Sequence, residues 1–67
     1  MTSYALAVDV GGTFTDAVLI SSAGGCWTDK ALTTHEDIMS GFFCAADLVL
    51  KQAGIPFSRL DDVITHA

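Results

Sequence analysis

The chain alternates short apolar runs with glycine-containing breaks before changing to a longer segment with helical spacing. Tyr4–Val10 and Phe14–Ser21 are apolar, β-branched runs joined by Gly-Gly-Thr, a pattern that predicts two strands of an antiparallel hairpin. Ser22–Gly25 predicts a second turn, and Cys26–Leu32 a third, more polar strand nearer the edge of the sheet. The first half of the chain is therefore predicted to be a three-stranded meander.

The second half begins with an amphipathic helix, predicted from about residue 36 to residue 53. Thr34 is the expected N-cap, with Asp37 as the reciprocal acid of a capping box. Gly54 and Pro56 end the helix, because glycine suits the left-handed C-terminal position and proline prevents continuation. The predicted apolar face, which we expect to be mostly core, comprises Ile38, Met39, Phe42, Phe43, Cys44, Ala46, Leu48, Val49, Leu50 and Ala53.

The chain closes with Val63–His66, which resembles the start of a fourth strand. Hydrophobic residues make up 51% of the sequence and charged residues 16%, against a usual charged share of about 25%. A short chain exposes most of its residues, so this composition resembles the interior of a larger protein. We expect residues 1–67 to be a partial N-terminal domain of the α/β class: a three-stranded antiparallel meander, one amphipathic helix and the start of a fourth strand.

Charge and cysteine content narrow the classes of partner. Eight acidic residues against three basic ones give a net charge of −5, which argues against nucleic acid as a partner. Apolar runs stay well below the roughly 18 residues of a membrane span, and the N-terminus lacks the features of a secretory signal. Cys26 and Cys44 lack metal-type spacing, so we expect free thiols and a cytoplasmic protein.

The segment with the most chemical information is DVGGTFTD, residues 9–16. Glycines allow a tight turn and a close approach to a ligand, and successive backbone N–H groups can form an anion site. A Gly-Gly pair between strands is commonly only a turn. Asp9 favours a functional site over a simple turn. It lies in an apolar run where we expect it to be buried, and a buried unpaired carboxylate is costly.

These residue types suggest a site for the phosphates of a metal–nucleotide. Asp9 would repel a phosphate directly, so its expected role is to hold a divalent cation such as Mg²⁺ or the water shell of that cation. Thr13 adds a hydroxyl donor beside the glycines. Asp16 has an equally weighted structural alternative, in which its carboxylate closes the hairpin by accepting from the glycine N–H groups.

The motif at residues 9–16 resembles segments of known protein families. DVGGT, residues 9–13, looks like the first phosphate motif of the superfamily of sugar kinases, heat-shock chaperone ATPases and actin. The longer string DVGGTFTDAVL, residues 9–19, is closer to the N-terminal segment of the hydantoinase A and 5-oxoprolinase family, which includes acetone carboxylase subunits. KALTT, residues 30–34, and VITHA, residues 63–67, resemble later segments of that family. His35 and Ala67 depart from its pattern, where proline and glycine are usual.

The resemblance implies an opening segment of a ribonuclease-H-like fold, bound to ATP and Mg²⁺. By position, Asp9 would be the catalytic acid near the metal and the transferred phosphate. The remaining site residues implied by the resemblance are Gly11, Gly12 and Thr13, cradling the phosphates, and Thr15 and Asp16, supporting the turn or lining the pocket. His66 would lie beside the next active-site loop, or be only a strand-terminal histidine.

The implied parent is an ATP-dependent hydrolase that opens cyclic amides, with the 67-residue chain inactive alone. The alternatives are an acetone carboxylase-type subunit, a sugar-kinase-like phosphotransferase, or a non-catalytic module that pairs through its helix and open sheet edge. Because so short a chain half-covers its core, we also expect self-association. The expected partners are a small cyclic amide and the remainder of the parent enzyme.

Overall fold

The structure, a computed structural model, describes residues 2–33 and 36–66. The elements follow the order strand, strand, strand, helix, a single 3₁₀ turn and strand. They are β1 (Tyr4–Val10), β2 (Phe14–Ser21), β3 (Cys26–Leu32), α1 (Ile38–Ala53), the 3₁₀ turn Phe57–Arg59, and β4 (Asp62–His66).

The strands form one mixed sheet in the order β3-β2-β1-β4. β1 pairs antiparallel with β2, and β2 with β3, through short turns. β4 pairs parallel with β1, Leu6 opposite Val63, because the chain returns along α1 before adding its last strand. The predicted α/β fold class, the meander with one helix and a fourth strand, is confirmed, as is the edge position of β3.

Backbone hydrogen bonds close the two tight turns. The Gly11 N–H donates to the Phe14 carbonyl at 3.0 Å, and the Gly24 N–H donates to the Ser21 carbonyl at 3.0 Å. Gly24 has φ of +95°, a left-handed conformation that L side chains rarely adopt. Both predicted turns are therefore present.

Helix α1 begins two residues later than the sequence predicted. Asp37 is its N-cap, and the Asp37 carboxylate accepts from the Ser40 N–H at 3.3 Å. Asp37 is thus the cap itself and not the reciprocal acid of a box; Thr34, its predicted partner, lies outside the described residues. At the other end Gly54, with φ of +74°, donates to the Leu50 carbonyl at 2.8 Å, which confirms the predicted glycine end.

The hydrophobic core lies between α1 and one face of β1, β2 and β3. It consists of Leu6, Val8, Ala17, Leu19, Phe42, Ala45, Ala46, Val49 and Leu50. Met39, Phe43 and Cys44 were predicted within the packed face of the helix, but all three are exposed. The sheet covers only one stripe of the helix, so an apolar pattern wider than that stripe extends onto its outer surface.

The two faces of the sheet differ sharply. The face under α1, called here the covered face, holds the core; the opposite face, called the open face, is not packed against α1. The open face is apolar in its middle and charged at one end. Its exposed residues include Asp9, Phe14, Asp16, Ile20, Lys30, Leu32, Ile64 and His66.

Two further expectations concern membranes and thiols. Within the described ranges, the helices fall short of the length and apolarity that crossing a membrane requires. Cys26 and Cys44 are both free thiols, as predicted.

Candidate functional site

Four ionisable residues cross the open face at one register. Asp9 of β1 is the direct partner of Asp16 on β2, and Asp16 is the partner of Lys30 on β3. On the other side of β1, Asp9 is the register partner of His66 on β4. Side chains at one register point to the same side of a sheet. The order Lys30, Asp16, Asp9, His66, called here the charged row, therefore spans all four strands.

Asp9 is exposed, so the prediction of a buried carboxylate was wrong. Its side chain is 69% exposed and that of His66 is 82% exposed, with 3.4 Å between Asp9 Oδ1 and His66 Nδ1. The pleat explains the error: Leu6 and Val8 point into the core, while Asp9 points to the open face. An apolar run of sequence does not imply an apolar environment for each of its members.

The turn after β1, residues 11–13 and called here the Gly-Gly turn, is exposed next to this row. A Cβ on Gly11 would lie 2.8 Å from the Phe14 carbonyl oxygen, so the tight hairpin itself excludes a side chain there. Gly12 is different, because a Cβ at that position would have no atom within 4 Å. Among the described residues positive φ occurs at Gly24 and Gly54, so neither glycine of this turn is left-handed. The fold requires Gly11, whereas Gly12 leaves open space.

Thr15 and Asp16 are adjacent in sequence but lie on opposite faces. Asp16 belongs to the charged row, whereas Thr15 is fully buried on the covered face. Thr15 therefore lies behind the Gly-Gly turn and does not line its open side. The alternative in which Asp16 closes the hairpin loses its main donor, because the Gly11 N–H is bonded to the Phe14 carbonyl.

Thr33, a residue given no role from the sequence, contacts the segment behind the Gly-Gly turn. Its N–H donates to the Thr13 carbonyl at 2.8 Å, and its hydroxyl lies 3.0 Å from the Thr15 hydroxyl. Lys30 is also new to the site: its Nζ lies 5.4 Å from the centre of the Phe14 ring, on the open face. Both residues belong to the KALTT segment, whose resemblance to the family was the one feature of the sequence that pointed to them.

The charged row does not form a preassembled metal cage. Across residues 2–33 and 36–66, no three His, Cys, Asp or Glu side chains are close enough together to hold a metal ion. Mg²⁺ needs less from the protein when phosphate is present, because one or two carboxylates and several waters complete its shell. Asp9, exposed at the carboxyl end of β1 beside an open glycine turn, fits that limited role.

One of three comparisons with known proteins identifies the family of this chain. A family model described as hydantoinase/oxoprolinase N-terminal region matches residues 5–67, which include the Gly-Gly turn and every member of the charged row. Searches of the curated proteins and of the solved structures each yielded no match. Because the family model spans nearly the whole sequence, the chain belongs to the hydantoinase/oxoprolinase N-terminal region family.

Proposed function

We propose that this chain is the phosphate-binding N-terminal piece of an ATP-dependent hydrolase that opens cyclic amides, of the hydantoinase or 5-oxoprolinase type. The observation that carries the proposal is the family match over residues 5–67, joined to an exposed acid and an open Gly-Gly turn at one end of the sheet. Membership of the family supports hydrolase chemistry in the parent. The exposed acid beside the open Gly-Gly turn supports dependence on ATP and Mg²⁺.

Each residue of the site has a proposed role. The backbone N–H of Gly12 and the hydroxyl of Thr13 bind the phosphates of ATP, and the empty space at Gly12 lets a phosphate oxygen approach the backbone. Gly11, whose N–H donates to the Phe14 carbonyl, keeps the turn tight for that approach. Asp9 holds Mg²⁺ or its water shell. Asp16, the neighbour of Asp9 in the charged row, adds a second negative charge near the cation. Thr15 supports the turn from the covered face.

The chemistry is the activation of an unreactive carbonyl. The amide oxygen of the ring attacks the γ-phosphorus of ATP, and the bond from that phosphorus to the bridging oxygen breaks to release ADP. Water then adds to the activated carbon, and the ring C–N bond breaks with a proton passing to nitrogen, which leaves an acyl phosphate. A second water hydrolyses the acyl phosphate to a carboxylate and inorganic phosphate. When bound, Mg²⁺ neutralises charge on the transferring phosphoryl group.

The chain alone supplies only one side of such a site. Its charged row and Gly-Gly turn are exposed, and in the part of the chain that the structure describes no element covers them to exclude water or hold a cyclic amide. We therefore infer that the 67-residue chain is inactive in isolation and acts together with the remainder of the parent enzyme. The two free thiols support a reducing compartment, and we propose the cytoplasm.

The test is calorimetric titration of the full-length parent with ATP and Mg²⁺, comparing wild type, Asp9→Ala and Asp62→Ala. Asp62 is the matched control, because it removes the same charge from an exposed position of β4, the strand beside β1. We expect Asp9→Ala to abolish binding or weaken it at least tenfold, and Asp62→Ala to leave it unchanged. Because both side chains are exposed, neither substitution should shift the unfolding midpoint appreciably.

Two results would contradict the proposal in different ways. Equal binding by wild type and Asp9→Ala would remove Asp9 from the nucleotide site. Absence of ATP binding by the wild-type parent would show that the enzyme does not use ATP. The family membership would then stand, but the proposed mechanism would not.

A further inference from the structure

Thr33, the residue directly after β3, forms one hydrogen bond to Thr13 of the Gly-Gly turn and one to Thr15 of β2. The Thr33 N–H donates to the carbonyl of Thr13, and the Thr33 and Thr15 hydroxyls lie 3.0 Å apart. The first bond fixes the plane of the peptide between Thr13 and Phe14, because a peptide group is rigid. The second holds the side chain of the next inward-facing residue. Thr33 therefore restrains the end of the turn through both backbone and side chain.

Helix α1 packs against this contact on the covered face through Gly41. Gly41 is buried, and a Cβ at that position would lie 3.1 Å from the Thr15 hydroxyl oxygen and 3.6 Å from the Thr33 Cα. The Thr15 hydroxyl is thereby enclosed, with Thr33 as its hydrogen-bond partner. A buried hydroxyl that loses its partner is costly, so the contact between the two hydroxyls is favoured over its loss.

We propose that Thr33 is a positioning residue for phosphate binding, acting through Thr13 and Thr15. The inference rests on the proposed function, since it assigns to Thr33 the task of holding the Gly-Gly turn in the shape that accepts a phosphate. Thr33 does not touch the ligand. Its hydroxyl lies on the side of β2 that faces α1, whereas Gly12 and Asp9 are exposed.

The experiment measures ATP–Mg²⁺ affinity and thermal unfolding of the full-length parent for Thr33→Val, Thr33→Ser and Thr28→Val. Valine keeps the shape of threonine but removes the hydroxyl, and serine restores it. Thr28 is the matched control, an exposed threonine of β3 that pairs with Val18 in the middle of β2, away from the end of β2 that meets the turn. We expect Thr33→Val to weaken ATP binding roughly five- to tenfold, Thr33→Ser to regain most of it, and Thr28→Val to bind as wild type.

The double variant Thr15→Val/Thr33→Val separates positioning from stability. Removing both hydroxyls leaves no unpaired buried group, so the unfolding midpoint should recover toward that of wild type. ATP binding should stay weak, because the contact between the Thr33 and Thr15 hydroxyls is still missing, although the backbone bond from Thr33 to Thr13 remains. This variant also keeps the test valid if Thr33→Val alone folds poorly.

The outcomes distinguish this inference from the proposed function. ATP binding that recovers together with stability in the double variant, or that is unchanged in Thr33→Val while Asp9→Ala abolishes it, would overturn the role of Thr33 and leave the phosphate site intact. A wild-type parent that does not bind ATP would overturn both.

Discussion

The covered and open faces of one sheet come from the same strands but differ in what occupies them. Leu19 is fully buried against α1, while its neighbour Ile20 is 52% exposed on the other side. The covered face is filled by apolar side chains and the enclosed Thr15 hydroxyl. The open face carries the charged row at the end of the strands next to the Gly-Gly turn. In this molecule the covered face holds the core that stabilises the fold, and the open face carries the residues of the proposed site.

The largest expected effect comes from truncating a side chain on the covered face. Leu19→Ala should cost about 2–5 kcal/mol, because it removes a large side chain from the packed core. A chain of this size has little stability to lose, so the variant should be largely unfolded by circular dichroism. Ile20→Ala on the adjacent residue should cost no more than about 1 kcal/mol. Equal losses for the two variants would mean that both faces are packed, and the comparison would fail.

Substitutions of two glycines should have effects of intermediate size, and they test the same contrast between the covered and open faces. Gly41→Ala should lower the free energy of unfolding by about 1 kcal/mol, and with it the unfolding midpoint. The new Cβ would lie 3.1 Å from the Thr15 hydroxyl oxygen and 3.4 Å from the Leu32 carbonyl oxygen. That cost outweighs the gain in helix propensity, since both neighbours are held in place. Gly12→Ala should leave unfolding unchanged, because the new Cβ meets no atom within 4 Å.

The same two variants should exchange their ranking when ATP–Mg²⁺ affinity of the parent is measured. Gly12→Ala fills the space proposed for a phosphate oxygen and should weaken binding more than Gly41→Ala does. A destabilised Gly12→Ala variant would show that the space at Gly12 is not open, and a variant that binds ATP normally would show that this space has no role in ligand approach.

The smallest expected effect concerns association. Exposed apolar residues on the open face and the unpaired outer edge of β4 predict that the isolated chain self-associates at micromolar concentration in light scattering. Ile64→Lys on the open face should shift the population toward monomer. Met39→Lys, a change of equal charge at a similarly exposed position on the helix, should not. A monodisperse wild-type monomer would contradict the prediction outright.

Local signals were enough to predict most of the fold. Apolar runs interrupted by glycine predicted β1, β2 and β3 with their residue bounds, and the glycine end of α1 was also correct. The helix start was misplaced, because Thr34 and Asp37 are both acceptable caps in sequence and only the folded chain distinguishes them. The outward positions of Met39, Phe43 and Cys44 were missed for a related reason: an apolar pattern shows which residues prefer burial, but not how wide the covering surface is.

Prediction of the candidate site was less complete. The segment from Asp9 to Asp16 was found because glycines, hydroxyls and acids occur together there. The burial of Asp9 was predicted wrongly, since burial depends on which side of the sheet the helix packs. The contributions of Lys30 and Thr33 were missed because β3 is far along the chain from the Gly-Gly turn and meets it only by pairing with β2.

The sequence by itself determined the strands, the turns, the helix and the motif, because periodicity and glycine placement act over a few residues. Tertiary structure decided which face of the sheet is covered and which residues meet at its open end. The parallel pairing of β4 with β1 places His66 beside Asp9, and the position of α1 encloses Thr15 with Thr33. Those contacts join residues distant in the chain, so they depend on how the elements pack and not on the local pattern.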